Sequence, residues 1–340
     1  MFHYKKLLQI SVPALLMGLS IQAFAVTYRL TDLGTFGGSE SFASSINADG
    51  TVVGTAYDEN NNFYGFRYDG TMQKVTSSGG QAFDINDSGQ IVGRDNSRAV
   101  LYDNGSATVI YDRFSHAFGI NNSGQVVGYG NNGSTNMGFI YDNGDIIEVG
   151  VLPGGSTSNA RIINDNGTVL GSSSGNSFIY KSEQIQNLKD YIGFDGSGYM
   201  LASDINNSEK IIGSYKNDDG LYDAFIYDDA TDDFTLVDFN GLNTMANGIN
   251  SSGVIIGSYS SDTYNFDSRA MIIDEGGNLF DINNLDIIGA DFDRLVAASD
   301  INDSGQIVGK GIFNGKEHAF LLTPVPVPAA LWMFMSAIVG

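Results

Sequence analysis

The chain has 340 residues, 42% of them hydrophobic and 16% charged, with 43 Gly, 5 Pro and no Cys. The absence of Cys excludes a disulfide framework, a thiolate metal site and a cysteine nucleophile. A formal net charge of −22 excludes nucleic acid and anionic lipid as partners, since both need basic patches, and suits a soluble protein in a salt-rich or divalent-rich exterior.

In chain order the first element is a processing segment. "MFHYKK" is a basic stretch, "LLQISVPALLMGLSI" is apolar, and "AFA" at 23–25 places small residues where a leader is cut. Residues 1–25 are therefore expected to be a signal peptide cleaved after Ala25. The remaining chain would be secreted or held at the outer cell surface. "TYRLTDLGTFGG" at 27–38 follows, a strand and turn similar to the internal "DIIEVGVLPGG" at 145–155.

A repeat then dominates. "INADGTVVG" from Ile46 returns as "INDSGQIVG" from Ile85, "INNSGQVVG" from Ile120, "INDNGTVLG" from Ile163, "INNSEKIIG" from Ile205, "INSSGVIIG" from Ile249 and "INDSGQIVG" from Ile301. Only the fifth copy replaces the turn Gly, with Glu209. High Gly with alternating aliphatics reads as turn-rich β structure. In the second copy, "QAFDIN", "QIVG", "SRAVLYD" and "ATVIYDRF" are four short strands joined by turns, an antiparallel meander. Its Ile85 points to a core, and Asn86 tolerates left-handed backbone and bonds its own backbone two residues on. Gly89 supplies positive φ, and strand-terminal Gly93 lets a neighbouring backbone approach. Tyr68, Tyr102, Tyr141, Tyr180 and Tyr227 hold one place in the third strand, as packing between units.

One four-stranded sheet cannot bury both faces, but stacked copies can. The seventh copy has three strands, "ASDIN", "QIVG" and "EHAFLL", and then meets Pro324; the strand at 27–38 lacks the three that should precede it. The expected fold is all-β: a seven-bladed β-propeller of four-stranded antiparallel blades over 26–324, closed by the N-terminal strand completing the last blade.

These repeats resemble the HAF-repeat family of bacterial proteins, held to be extracellular and named for the triplet found here at His318–Phe320 and, in a different strand, at His116–Phe118. The resemblance implies an exported β-repeat protein and no particular activity. The tail "TPVPVPAALWMFMSAIVG" is similar to the start of a PEP-CTERM-type sorting signal in its Pro-x-Pro-Ala variant, Val325 to Ala329. That similarity implies an exosortase-like partner. Residues 325–340 are expected to be a sorting or anchor segment cut short, because only 12 apolar residues, Ala329–Gly340, follow the prolines and no Arg cluster ends them.

Chemistry is sparse. There is no Gly-x-Ser-x-Gly elbow, no His-Glu-x-x-His and no phosphate-cradling loop, and Trp332 lies in the tail. No catalytic residue and no cofactor is expected, with calcium the one candidate ion. Asp84 and Asn86, and likewise Asp300 and Asn302, sit where a calcium-binding loop has its first ligands, but a hairpin turn needs the same residues. Asp228, Asp229, Asp232 and Asp233 form a second candidate, four carboxylates in "DDATDD". The leading expectation is a monomeric, non-enzymatic surface or extracellular-matrix protein that binds an exopolysaccharide or a surface protein through propeller loops. The alternatives are a polysaccharide lyase or glycosidase with a central site, and a calcium-stabilised structural protein.

Overall fold

Short β-branched and aromatic runs, cut by Gly, Asn and Asp turns, give strands of one crossing each. The computed structural model describes residues 8–11, 27–239, 241–261 and 267–325, and arranges these strands as seven antiparallel sheets around one axis. Blade two runs outward from that axis as Gln81–Ile85, Ile91–Asp95, Arg98–Asp103 and Ser106–Tyr111. The inner strands of blades one and three to six are Gly37–Ile46, Ser115–Ile120, Ser158–Ile163, Met200–Ile205 and Asn243–Ile249. Among the described residues, helix is limited to Leu188–Ile192 and the 3-10 turn Ile282–Asn284.

Blade seven is assembled from both ends of the chain. Arg294–Ile301, Ile307–Phe313 and Lys316–Pro324 are its first three strands, and Tyr28–Gly34 is the fourth, pairing antiparallel from Tyr28 opposite Pro324 to Gly34 opposite Ala319. His318 Nδ1 lies 3.0 Å from an Asp32 carboxylate oxygen, tying the His-Ala-Phe strand to the closing strand. Ile287–Gly289 runs parallel outside it. Leu8–Ser11 adds a parallel strand to the edge of blade five. The rest of the expected leader, and the sorting segment beyond Val325, lie outside the described residues.

The core lies between blades. Each of the seven buried clusters takes residues from two adjacent sheets: Val92 and Ala99 of blade two meet Ile120 and Phe139 of blade three, and Val308 and Leu321 of blade seven meet Val52 and Phe66 of blade one. Phe66, Phe139, Phe178, Phe225 and Phe320 of the third strands are fully buried in these seams. The repeated Tyr packs beside them, as Tyr68, Tyr141 and Tyr180 do, in keeping with a packing role.

The repeated Asn does something the turn reading missed. All seven are buried, and none has positive φ; the left-handed residues of these turns are the glycines and, in the fifth copy, Glu209 at φ 61. Each side-chain oxygen accepts from the backbone N–H four residues on, as Asn86 does from Gln90. Each Nδ2 donates to the backbone carbonyl of the next blade's Asn: Asn47 to Asn86, Asn86 to Asn121, Asn121 to Asn164, Asn164 to Asn206, Asn206 to Asn250, Asn250 to Asn302, and Asn302 back to Asn47. Seven bonds of 3.0–3.5 Å close a circle. Glu209 tolerates its backbone because Asn164, Asn166, Thr168 and Lys181 all donate to its carboxylate.

Two outcomes follow from this closure. Deleting Tyr28–Phe36 should lower the melting temperature of the whole ring in one transition and promote aggregation through the open edge; unchanged thermal unfolding would mean the far blades do not feel the closure. Asn121→Ala strands the Gln125 N–H and leaves the Asn164 carbonyl with only its bond from the Gly167 N–H, and should cost on the order of 2 kcal/mol in chemical denaturation. Exposed Ser123→Ala should stay within about 0.5 kcal/mol of the native protein.

Candidate functional site

The inner strand of every blade carries a β-bulge at one place, two residues before the repeated Ile. In blade two the ladder skips between Ala82 and Asp84, and in blade three between Ala117 and Gly119. The Ala before each bulge is buried in all seven blades. The bulge turns a main-chain carbonyl onto the second strand, and the repeated Gly there accommodates it: a Cβ on Gly93 would overlap the Gln81 carbonyl oxygen, and one on Gly128 that of His116. Gly93 is thus required for close approach, although it lies inside its strand rather than at the end. The bulged residues, Ser44, Phe83, Phe118, Arg161, Ser203, Asn247 and Ser299, all line a cavity of about 740 Å³ at the wide mouth of the axis.

The residue after the bulge sits deeper. Asp84, Asp204 and Asp300 occupy this place in blades two, five and seven, with their carboxylates facing the channel between the wide mouth and a narrow end of about 250 Å³. Each clamps two blades. Asp84 accepts from the N–H of Ile85 and of Ile120 in the next blade, Asp204 from Ile205 and Ile249, and Asp300 from Ile301 and Ile46. Ser45 Oγ lies 2.7 Å from Asp84 and 2.9 Å from Asp300. Enclosure by protein raises the Asp84 carboxyl above its ordinary range. Burial, then the charge of Asp84, pushes Asp204 up to about 6; burial, then the charges of Asp204 and Asp84, pushes Asp300 up to about 7.

One side of the mouth is aromatic and cationic. His116 lies with Phe83, Phe114, Phe118 and Tyr129, ring centres 5.1–6.0 Å away. The Arg161 guanidinium stands 4.5 Å over Phe118, and, outside the lining itself, Arg94 Nη1 lies 3.5 Å from His116 Nε2. Burial, then the charges of Arg94 and Arg161, lowers His116 to about 4, so it is neutral at pH 7. Tyr199, 41% exposed, completes the lining beside blade five.

The residues singled out as ion ligands are not gathered. Asp84 and Asp300 point to the axis, whereas Asn86 and Asn302 point along the circle of amides, so neither pair forms one loop-centred cage. In the acidic loop, Lys210 takes Asp228 at 3.4 Å, Lys181 and Tyr191 take Asp229, Tyr227 donates to Asp232, and Asp233 is exposed. Among the described residues no group of three or more His, Asp or Glu is disposed to hold a metal ion. The axial lining was missed in the sequence, although its signal is present. Inside the repeated Ala-x-x-Ile-Asn only the two middle residues vary, and they read Ser-Ser, Phe-Asp, Phe-Gly, Arg-Ile, Ser-Asp, Asn-Gly and Ser-Asp around the ring.

Fold and axis together define the class, a seven-bladed β-propeller with an asymmetric axial mouth. No protein-family model and no curated protein matches the chain. Solved structures do. The chain is similar to the WD40 propeller domain of Doa1 at 9% identity and TM-score 0.52, covering 86% of this chain and 96% of that one. It is similar to the extracellular domain of BT4673 from B. thetaiotaomicron at 11% identity and TM-score 0.54, covering 88% of this chain and 40% of that one. A puromycin-hydrolyzing peptidase of Mycobacterium tuberculosis is matched at 8% identity and TM-score 0.54 over 83% of this chain, which spans about half (53%) of the peptidase. At these identities the likeness is one of fold. That fold is compatible with a binding repeat protein.

The axial carboxylates set a pH dependence. Their folded pKa values exceed the ordinary 3.8, so the folded state holds extra protons between about pH 4 and 7, and stability falls as pH rises through that window. His116 acts oppositely between about 4 and 6.5. The informative quantity is therefore the difference from an Asp204→Asn/Asp300→Asn variant. Between pH 4.5 and 7.5 the native protein should lose more melting temperature than the variant; parallel curves would mean both carboxylates titrate normally.

Proposed function

We propose that the protein is an exported, non-enzymatic cell-surface or extracellular-matrix propeller that binds an exopolysaccharide or a surface partner at the wide mouth of its axis. One observation carries this reading. Seven blades repeat the same Ala, Ile, Asn and Gly, yet the bulged residues that face the mouth are Phe, Phe and Arg in blades two to four and Ser or Asn elsewhere. Among the described residues only Asn247 of these bulged side chains bonds the scaffold, donating to the Ala298 carbonyl, whereas a ligand needs a one-sided surface of this kind: apolar faces with a few placed polar groups. Export is supported by the leader-like 1–25, and surface sorting by an exosortase-like enzyme is supported by the Pro-rich tail after Val325. The three axial carboxylates commit both oxygens to backbone N–H groups, which suits a structural clamp.

The test is binding of the protein to exopolysaccharide fractions and surface extracts, with turnover measured in parallel. Phe118→Ala/Tyr199→Ala should weaken binding at least about tenfold, a loss of about 1.4 kcal/mol, with no new reducing ends or unsaturated products formed. Binding that ignores the double variant would remove the ligand from the mouth. Turnover lost in Asp300→Asn would favour a second reading, a lyase or glycosidase. That reading has one observation behind it: Asp84 and Asp300 share Ser45 Oγ, which places a proton-holding carboxyl beside a second carboxylate.

A further inference from the structure

We infer that the ligand of this mouth is a glycan chain bearing carboxylate groups, its apolar ring faces laid on Phe83, Phe118 and Tyr199 and a carboxylate held by Arg161. The inference rests on the mouth being the binding site, and adds the chemical class. The first argument is electrostatic. The chain has 39 Asp and Glu against 17 Lys and Arg, and several of its cations pair with acids, as Arg67 does with Asp69 and Lys310 with Glu317, while Lys74 and Lys216 stand over aromatic rings as Arg161 does. Among the described residues Arg94 and Arg161 form no ion pair; their neighbours are His116 and Phe118, and Arg94 Nε is buried without a partner. The Arg161 fork, kept clear of carboxylates at the mouth and with the charge of Arg94 beside His116, leaves a positive site for an external anion, and the planar fork fits a carboxylate with two parallel bonds. His116 is neutral at pH 7, so this charge belongs to the arginines alone.

The second argument is shape. Aromatic faces on one side stand across the mouth from hydroxyl and amide groups, Ser44, Ser203, Asn247 and Ser299, as a ring with one apolar face and several hydroxyls requires. The site also extends. A cleft of about 330 Å³ between blades three and four shares Ser172 with the mouth and is lined by Tyr129, Asn136, Thr157 and Asn159. Asn159 Oδ1 has no hydrogen-bond partner, an acceptor suited to a hydroxyl of the next residue of a chain. An acidic peptide would meet the arginines but leave the hydroxyl-lined wall and cleft without complement.

The experiment is titration calorimetry on the protein with EDTA present, to exclude calcium bridging. The probes are oligogalacturonate, oligomannuronate and hyaluronan fragments, their carboxyl-reduced neutral counterparts, and poly-glutamate. At least one acidic glycan should bind ten-fold or more tighter than its reduced form and than poly-glutamate. Arg161→Gln, at an exposed position, should bring the acidic and reduced forms within about two-fold while leaving the neutral affinity in place. Equal affinity for acidic and reduced glycans, both lost in Phe118→Ala/Tyr199→Ala, would overturn the acidic specificity and leave the mouth standing. Poly-glutamate binding as tightly as the glycans would replace the glycan with an acidic polypeptide. An acidic preference untouched by Arg161→Gln, or no binding of any probe, would overturn the inference; the former together with insensitivity to the double aromatic variant would overturn the mouth as well.

Discussion

The circle of seven asparagines sets the terms for the rest of the molecule. Each amide satisfies its own hairpin through Oδ1 and the neighbouring blade through Nδ2, so no blade completes its buried hydrogen bonding alone. A buried amide without its partner costs more than a formed bond contributes. The seventh blade must therefore meet the first, and the bond from Asn302 to Asn47 is the point where the chain's two ends become one structure. The apolar seams follow the same logic, since every cluster is shared by two sheets and none is intact in a single blade.

Within that frame the bulge and the second-strand glycine act as one device. The bulge brings a carbonyl where only Gly can stand, and releases two side chains per blade from the pleat toward the axis. The first of the two reaches the mouth and is free to vary. The second lies deeper, and where it is Asp it bridges two backbone N–H groups across a blade junction. The position open to the mouth and the position that clamps the blades are thus adjacent in sequence.

The electrostatics divide in the same way. The outer surface is strongly acidic, and loop acids such as Asp228 and Asp229 are paired with lysines. Acid at the axis is held by backbone dipoles and by partial protonation. Arg161 at the mouth and Arg94 beside His116 stand apart from both sets, against aromatic rings.

Blade number, blade boundaries and the closing strand were legible in the sequence, because each is a local pattern copied seven times: strand lengths, turn glycines, and a register that leaves one strand surplus at the start and one missing at the end. The repeated third-strand Tyr was legible as packing for the same reason. The role of the Asn was not, because its partner is the next blade's Asn, 35–52 residues away in six bonds and 255 in the closing one, and a turn explains the same letters. Nor was the shared axial placement of Asp84, Asp204 and Asp300, which lie in three separate repeats and line one cavity only when the ring closes. The same holds for Phe83, Phe118, Arg161 and Tyr199. Periodicity specifies what every blade must share, namely an apolar seam and a satisfied backbone; which unlike residues face one another across the axis is decided by the angle between blades, a property of the closed ring alone.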